Sequence, residues 1–232
     1  MAVIATVFKK LLKFMKWFFI ISIISVIIFR FIPIPITPTM IYLLGEQAFD
    51  SERKLVLKKD WESLSNISPN MKLAVIASED QLFYEHYGFD FAAIKKAIRN
   101  NEKGRRLKGG STISQQTAKN AFLLPHRNYL RKGLEAYFTM LIELLWSKDR
   151  IIEVYLNVIE FGNGIYGVEA ASQYYFKKSA SKLTKDEASL LAAVLPNPIR
   201  YKVDNPSSYI LRRKNWIKRQ ISKLGIPTEI KN

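Results

Sequence analysis

The chain has 232 residues, 48% of them apolar, a formal net charge of +16 and no cysteine. That length holds one domain with an accessory segment, or at most two small domains, and the apolar share is enough to build a core. A disulfide framework is excluded, and a charge this positive points to an anionic partner: nucleic acid, an anionic membrane surface or a phosphorylated substrate.

Lys9, Lys10, Lys13 and Lys16 precede an uncharged run, Trp17–Phe29. Alone, the run falls short of the ~20 residues of a spanning helix. Leu11, Leu12, Phe14 and Met15 extend it one way and Phe31-Ile32 the other, with Lys13, Lys16 and Arg30 able to snorkel. A cleaved signal peptide has an apolar region of similar length, but no small-x-small site follows; the chain continues P-I-P-I-T-P. Residues 11–32 are therefore expected to be an uncleaved signal anchor, with residues 1–10 cytoplasmic and the remainder outside, by the positive-inside rule. Held against the outer face of a membrane, a basic domain meets lipid headgroups or a lipid-linked phosphate, and nucleic acid drops out as a partner. Residues 33–67 read as a membrane-proximal segment. Pro33, Pro35 and Pro38 stiffen it, Met40–Leu44 is apolar enough for the interface, and residues 45–67 carry no clear signal.

From Ser68 onward one helix follows another, without alternation that argues for strands. Ser68-Pro69 is a helix start, with Ser as N-cap and Pro in the first turn. The apolar run Leu73–Ala77 then leads into S-E-D-Q-L-F-Y-E-H-Y-G-F-D (Ser78–Asp90), which places Glu79 at the end of a buried helix. A carboxylate so placed can have the raised pKa that suits a general base; the bland reading makes these acids caps and partners of lysines. Gly88 breaks the pattern, and Asp90 is placed to cap the next helix, whose Phe91, Ile94 and Ile98 share a face.

The basic, glycine-punctuated stretch Glu102–Gly109 looks mobile and leads into G-G-S-T-I-S-Q-Q (Gly109–Gln116). Thr112 and Gln115 have capping-box spacing, with Ser111 as another cap, so free N–H groups stand behind two glycines, a place for a polar or anionic ligand or simply a turn. Gln115, Gln116, Lys119 and Asn120 crowd the helix that follows, as a sugar-binding wall or a solvated face would. Asn128 caps the next helix, on which Arg131 and Glu135 are one turn apart, either an ordinary i,i+4 pair or part of a cationic cluster with Arg127 and Lys132 for a diphosphate. That helix buries Leu134, Phe138, Leu141 and Leu145. Ser147 caps K-D-R-I-I-E-V-Y-L-N, in which Glu153 reads as structural. Phe161–Gly167 is expected to be a tight loop, and Thr184 with Glu187 a second capping box. The last helix, Ser207–Leu224, carries six basic residues and reads as a solvated or membrane-facing surface.

Taken in order, E-D-x-x-F-x-x-H-x-G-x-D (Glu79–Asp90), G-G-S-T-I-S-Q-Q, R-K-x-x-E (Arg131–Glu135), K-D-R-I-I-E-V-Y-L-N (Lys148–Asn157) and L-A-A-V-L-P-N-P (Leu191–Pro198) resemble the motifs of the peptidoglycan glycosyltransferases, in their monofunctional, membrane-anchored branch. The resemblance runs over residues 68–232 and implies a mainly α, lysozyme-like domain with a smaller membrane-facing lobe, preceded by one transmembrane helix. It implies polymerisation of lipid II by inverting glycosyl transfer, with undecaprenyl diphosphate released and no transpeptidase domain. Carried over position by position, Glu79 is the general base and Glu135 the second catalytic glutamate. Lys119, Arg127, Arg131 and Lys132 face the diphosphate, while Asp80, Ser111, Gln115 and Gln116 shape the cleft. The Glu102–Gly109 stretch becomes a flap over that cleft. No cofactor is required; family members use a divalent cation, magnesium or manganese, at the diphosphate, and no separate metal-ligand cluster stands in the sequence. The implied partners are lipid II, the growing glycan, the membrane and a cell-wall synthesis complex, at the inner membrane of a two-membrane cell. One departure is Phe176-Lys177-Lys178, where the family has F-G-K; no catalytic consequence is expected. Two other readings compete: a membrane-bound muramidase, which leaves the cationic cluster without a role, and a non-catalytic anchor for anionic lipid.

Overall fold

The computed structural model describes residues 2–49, 56–102, 110–126 and 128–224. It is mostly helical. Helix α1 (Ala2–Phe31) runs without a break from the basic end through the apolar run, because nothing before Pro33 disfavours helix. Lys9, Lys10, Lys13 and Lys16 therefore lie on the same unbroken helix as the apolar run. One stretch among the described residues, Ile4–Phe31 with mean hydropathy 2.2, is long and apolar enough to cross a membrane. Only 11% of its most apolar window is buried by the rest of the chain, so its surface is left for another apolar medium. Thr37 then caps α2 (Pro38–Phe49), its hydroxyl accepting from Met40 N at 3.2 Å, with Pro38 at the first helical position.

The core is built on α3 (Pro69–Glu79). Met71 and the run Leu73–Ala77 are all buried, the mark of a helix wrapped on every side. It packs on α9 (Lys185–Val194) and α10 (Ser208–Leu224). A second group forms around α5 (Ile113–Phe122), which lies against α6 (Tyr129–Leu145), α7 (Lys148–Val158) and α2, while α1 lies along α6. Helix α4 (Phe91–Glu102) starts where Asp90 accepts from Ala93 N at 2.8 Å; the side chain of Ile98 and the stretch 103–109, with the expected flap, lie outside the described residues.

Each cap expected at Ser68, Thr112, Asn128, Ser147 and Thr184 makes its hydrogen bond. Two expectations are corrected. The loop expected at Phe161–Gly167 is a hairpin of β2 (Glu160–Gly162) and β3 (Ile165–Tyr166), with β1 (Lys58–Lys59) parallel to β3 in a sheet of order β1-β3-β2. Its turn needs Gly164 at φ +69, where a Cβ would lie 2.0 Å from Val56 O. Strands this short show no alternation for a sequence pattern to reveal. Strand β1 and the turn Leu64–Asn66 fall in the stretch that carries no sequence signal. Second, α10 is not simply a surface helix: Ile210, Ile217 and Ile221 are buried, and Lys214 and Lys218 pair with Asp186 at 2.7 Å each. Helix α8 (Val168–Phe176) ends at Lys177, which takes the left-handed conformation at φ 56; this is why glycine suits the middle of F-G-K.

Candidate active site

Glu79 ends α3 with its side chain 13% exposed. Its Oε1 accepts from the Ser78 hydroxyl at 2.9 Å and from Arg213 Nη2 at 3.2 Å; its Oε2 accepts from Gln116 Nε2 at 3.2 Å. Arg213 also donates to the Ser78 hydroxyl oxygen at 2.9 Å. The setting is therefore polar and cationic rather than the apolar pocket its helix suggests. Oε1 is pinned by two donors, whereas Oε2 shares one amide and keeps capacity for a further proton. Beneath it lies Tyr155, fully buried; burial, and then the Glu79 and Asp80 charges, push its phenol well above the usual tyrosine range, so it stays protonated.

Asp80 follows Glu79 and is buried. Both its oxygens meet His86 Nε2, at 2.9 and 3.0 Å, and Oδ2 accepts from Ile113 N at 2.9 Å, so it ties the loop after α3 to the N-terminus of α5. Thr112 and Gln115 close the capping box there, and the Thr112 hydroxyl donates to Gly88 O at 2.7 Å. Within the same turn, Ser114 donates to Glu143, which also accepts from Lys148 Nζ at 2.8 Å; Lys148 donates again to His86 O. The Glu79 loop and α5 are thus fixed to α6 and α7 by paired buried polar groups.

On α6, Glu135 is 3% exposed. Arg131 Nη1 donates to its Oε2 at 2.7 Å, and Lys132 pairs with its Oε1. Two cations on one buried carboxylate leave a net positive charge, and Arg131 Nε has no hydrogen-bond partner among the described residues. Such a group can take up an anion while Glu135 holds its geometry.

A family model described as Transglycosylase matches residues 48–222. The chain belongs to the transglycosylase family. It is 58% identical over 200 residues to the biosynthetic peptidoglycan transglycosylase of Haemophilus influenzae, covering 86% of this chain and 81% of that one. To the proteins of the same description from Pseudomonas syringae pv. syringae and Shewanella oneidensis it is 50% identical over 220 residues and 52% over 219. Those matches cover 95% and 94% of this chain and 93% of each relative.

In this transglycosylase the structure brings Glu79 and Gln116 into contact, and it joins Glu135 with Arg131 and Lys132. Asp80 and Gln115 are buried and committed to holding the start of α5, so they shape the site through the backbone rather than by presenting free groups. Ser111 is exposed ahead of that helix, and Lys119 is half-buried three residues after Gln116. Arg127 lies outside the described residues. Arg213 carries no local signal: it is one of six cations on α10, and only packing selects it. The pairing of Glu143 with Lys148 carries no local signal either, because it spans two helices.

Among the described residues no three His, Asp or Glu side chains converge to hold a metal, and both oxygens of Glu135 are already taken by cations.

Proposed function

We propose that this transglycosylase polymerises lipid II into linear glycan strands during cell-wall synthesis. The observation that carries the reading is Glu79, a carboxylate pinned through one oxygen at the end of a buried helix, with its other oxygen able to accept. Glu79 Oε2 takes the proton of the acceptor's 4-hydroxyl as that oxygen attacks the donor's anomeric carbon. The bond from that carbon to the diphosphate oxygen breaks, the configuration inverts, and undecaprenyl diphosphate leaves. The cations of Arg131 and Lys132, with Lys119 and Arg127, meet the charge that grows on the leaving group. A magnesium or manganese ion at the diphosphate would supply further positive charge for the leaving group.

Helix α1 supports a single-pass anchor, with Lys9, Lys10, Lys13 and Lys16 on the cytoplasmic side and the catalytic domain outside the inner membrane. Neither the muramidase nor the non-catalytic reading is supported by the family and relatives. The deciding experiment gives labelled lipid II to the detergent-solubilised chain, wild type beside Glu79→Gln, and separates products on a gel. Polymer from the wild type and none from the variant is expected. Fragments released from finished cell wall, with no polymer, would overturn the proposal.

A further inference from the structure

The contact between α1 and the rest of the chain is built from directed hydrogen bonds, not from grease alone. Pro33 has no N–H, so Phe29 O lacks its intrahelical donor. Arg150, on α7, supplies two in its place: Nε at 3.1 Å and Nη2 at 2.8 Å. The same Nη2 reaches Ile32 O, Nη1 is held by Glu153, and the guanidinium lies 5.2 Å from the Trp61 ring centre. Lys59, also against Trp61, donates to Ile34 O at 2.8 Å. Higher on the helix, Trp146 Nε1 donates to Val26 O at 2.8 Å, and the Tyr137 and Ser22 hydroxyls meet at 2.7 Å. Residues 22, 26 and 29 lie on one face of α1, so the bonds form a seam. Burial lowers the pKa of both Arg150 and Lys59. A loose tether would need no half-buried cations at its end.

We propose that Arg150 is a positioning residue that locks α1 to the catalytic domain as one rigid body, so that the membrane helix fixes the height and tilt of the Glu79 cleft over the bilayer. The cation also sits where a helix C-terminus favours positive charge. A lipid-linked substrate presents its sugars at a set height above the membrane, and small misplacements of reacting atoms are costly. The mechanical half of the proposal stands on the seam alone; its catalytic half rests on the transglycosylase reading.

The chain has no cysteine, so Ile24→Cys on α1 and Asn215→Cys on α10, both exposed and outside the seam, label cleanly. Spin-label distances in proteoliposomes should show one narrow distribution for the parent and one about twofold wider or more in an Arg150→Ala background. A broad parent distribution, or no change in the variant, overturns the proposal. Lipid II polymerisation by Arg150→Ala should fall about tenfold in liposomes but less than about threefold in detergent micelles, which have no bilayer plane. Arg150→Lys, which keeps the charge and can reach one carbonyl, should recover part of the loss. Equal losses in both media, with earlier thermal unfolding, would mean that Arg150 only supports the fold. Should Arg150→Ala fail to fold, Trp146→Phe removes a single bond to Val26 O and carries both readouts. No polymer from the wild type in either medium would sink the transglycosylase reading while the spin-label distances still decide the lock.

Discussion

Removing Arg213 tests whether Glu79 depends on a residue 134 positions away. Arg213→Ala deletes two N–H bonds, one to the carboxylate at 3.2 Å and one to the Ser78 hydroxyl that also steadies it at 2.9 Å. A hydrogen bond to a charged group contributes roughly 1.5–3 kcal/mol. Here the bond to the carboxylate is long for a charge-assisted one, and the two side chains are 23% and 13% exposed, so screening brings the figure to about 1–2 kcal/mol. If all of it acts on the reacting carboxylate, polymerisation slows about 5- to 30-fold. The loss should fall on kcat, because the acceptor's sugar is held by other groups and only the proton transfer needs Oε2 in place. Arg213→Lys should lie between, having charge without the fork. The assay is the initial rate of polymer formation from labelled lipid II, with thermal unfolding as a control for folding. A rate for Arg213→Ala within twofold of wild type, in a variant that unfolds normally, would refute the positioning argument.

Lys177→Gly relieves a left-handed backbone at φ 56, and should stabilise the chain by about 0.5–1 kcal/mol, less whatever the Lys177 contacts to Tyr174 contribute. A higher midpoint in thermal unfolding checks it, and an unchanged or lower midpoint speaks against strain. Thr112→Ala breaks the capping box of α5 and its bond to Gly88 O, and should cost about 1–2 kcal/mol in denaturant unfolding. Burial pushes the Glu160 carboxyl up to about 7, outweighing the Gly164 N–H that favours its ionised form. The folded chain therefore keeps a proton that the unfolded chain has released. This group's contribution is greatest below the unfolded pKa and declines as pH rises to about 7, by up to about 3 kcal/mol. Urea unfolding of wild type against Glu160→Gln across that window should show the decline in the wild type alone; parallel curves would show that Glu160 titrates normally.

The helix starts and the order of the site motifs are legible in the linear chain. A cap is closed by a side chain bonding an N–H two or three residues on, so Ser68, Thr112, Asn128, Ser147 and Thr184 declare themselves within one turn. The i,i+4 pair of Arg131 and Glu135 is local in the same way, and so is the helical period. Long-range packing selects which of the six cations on α10 meets Glu79, brings Arg150 to complete α1 across 121 residues, and pairs β1 with a hairpin about a hundred residues later. These contacts depend on how α3, α9 and α10 pack, how α6 and α7 lie against α1, and how a two-residue strand finds a backbone partner. Arg213 does not differ in kind from Arg212 beside it, nor Lys58 from Lys59. Packing of distant surfaces selects among chemically equal side chains, and a linear pattern holds no record of that selection.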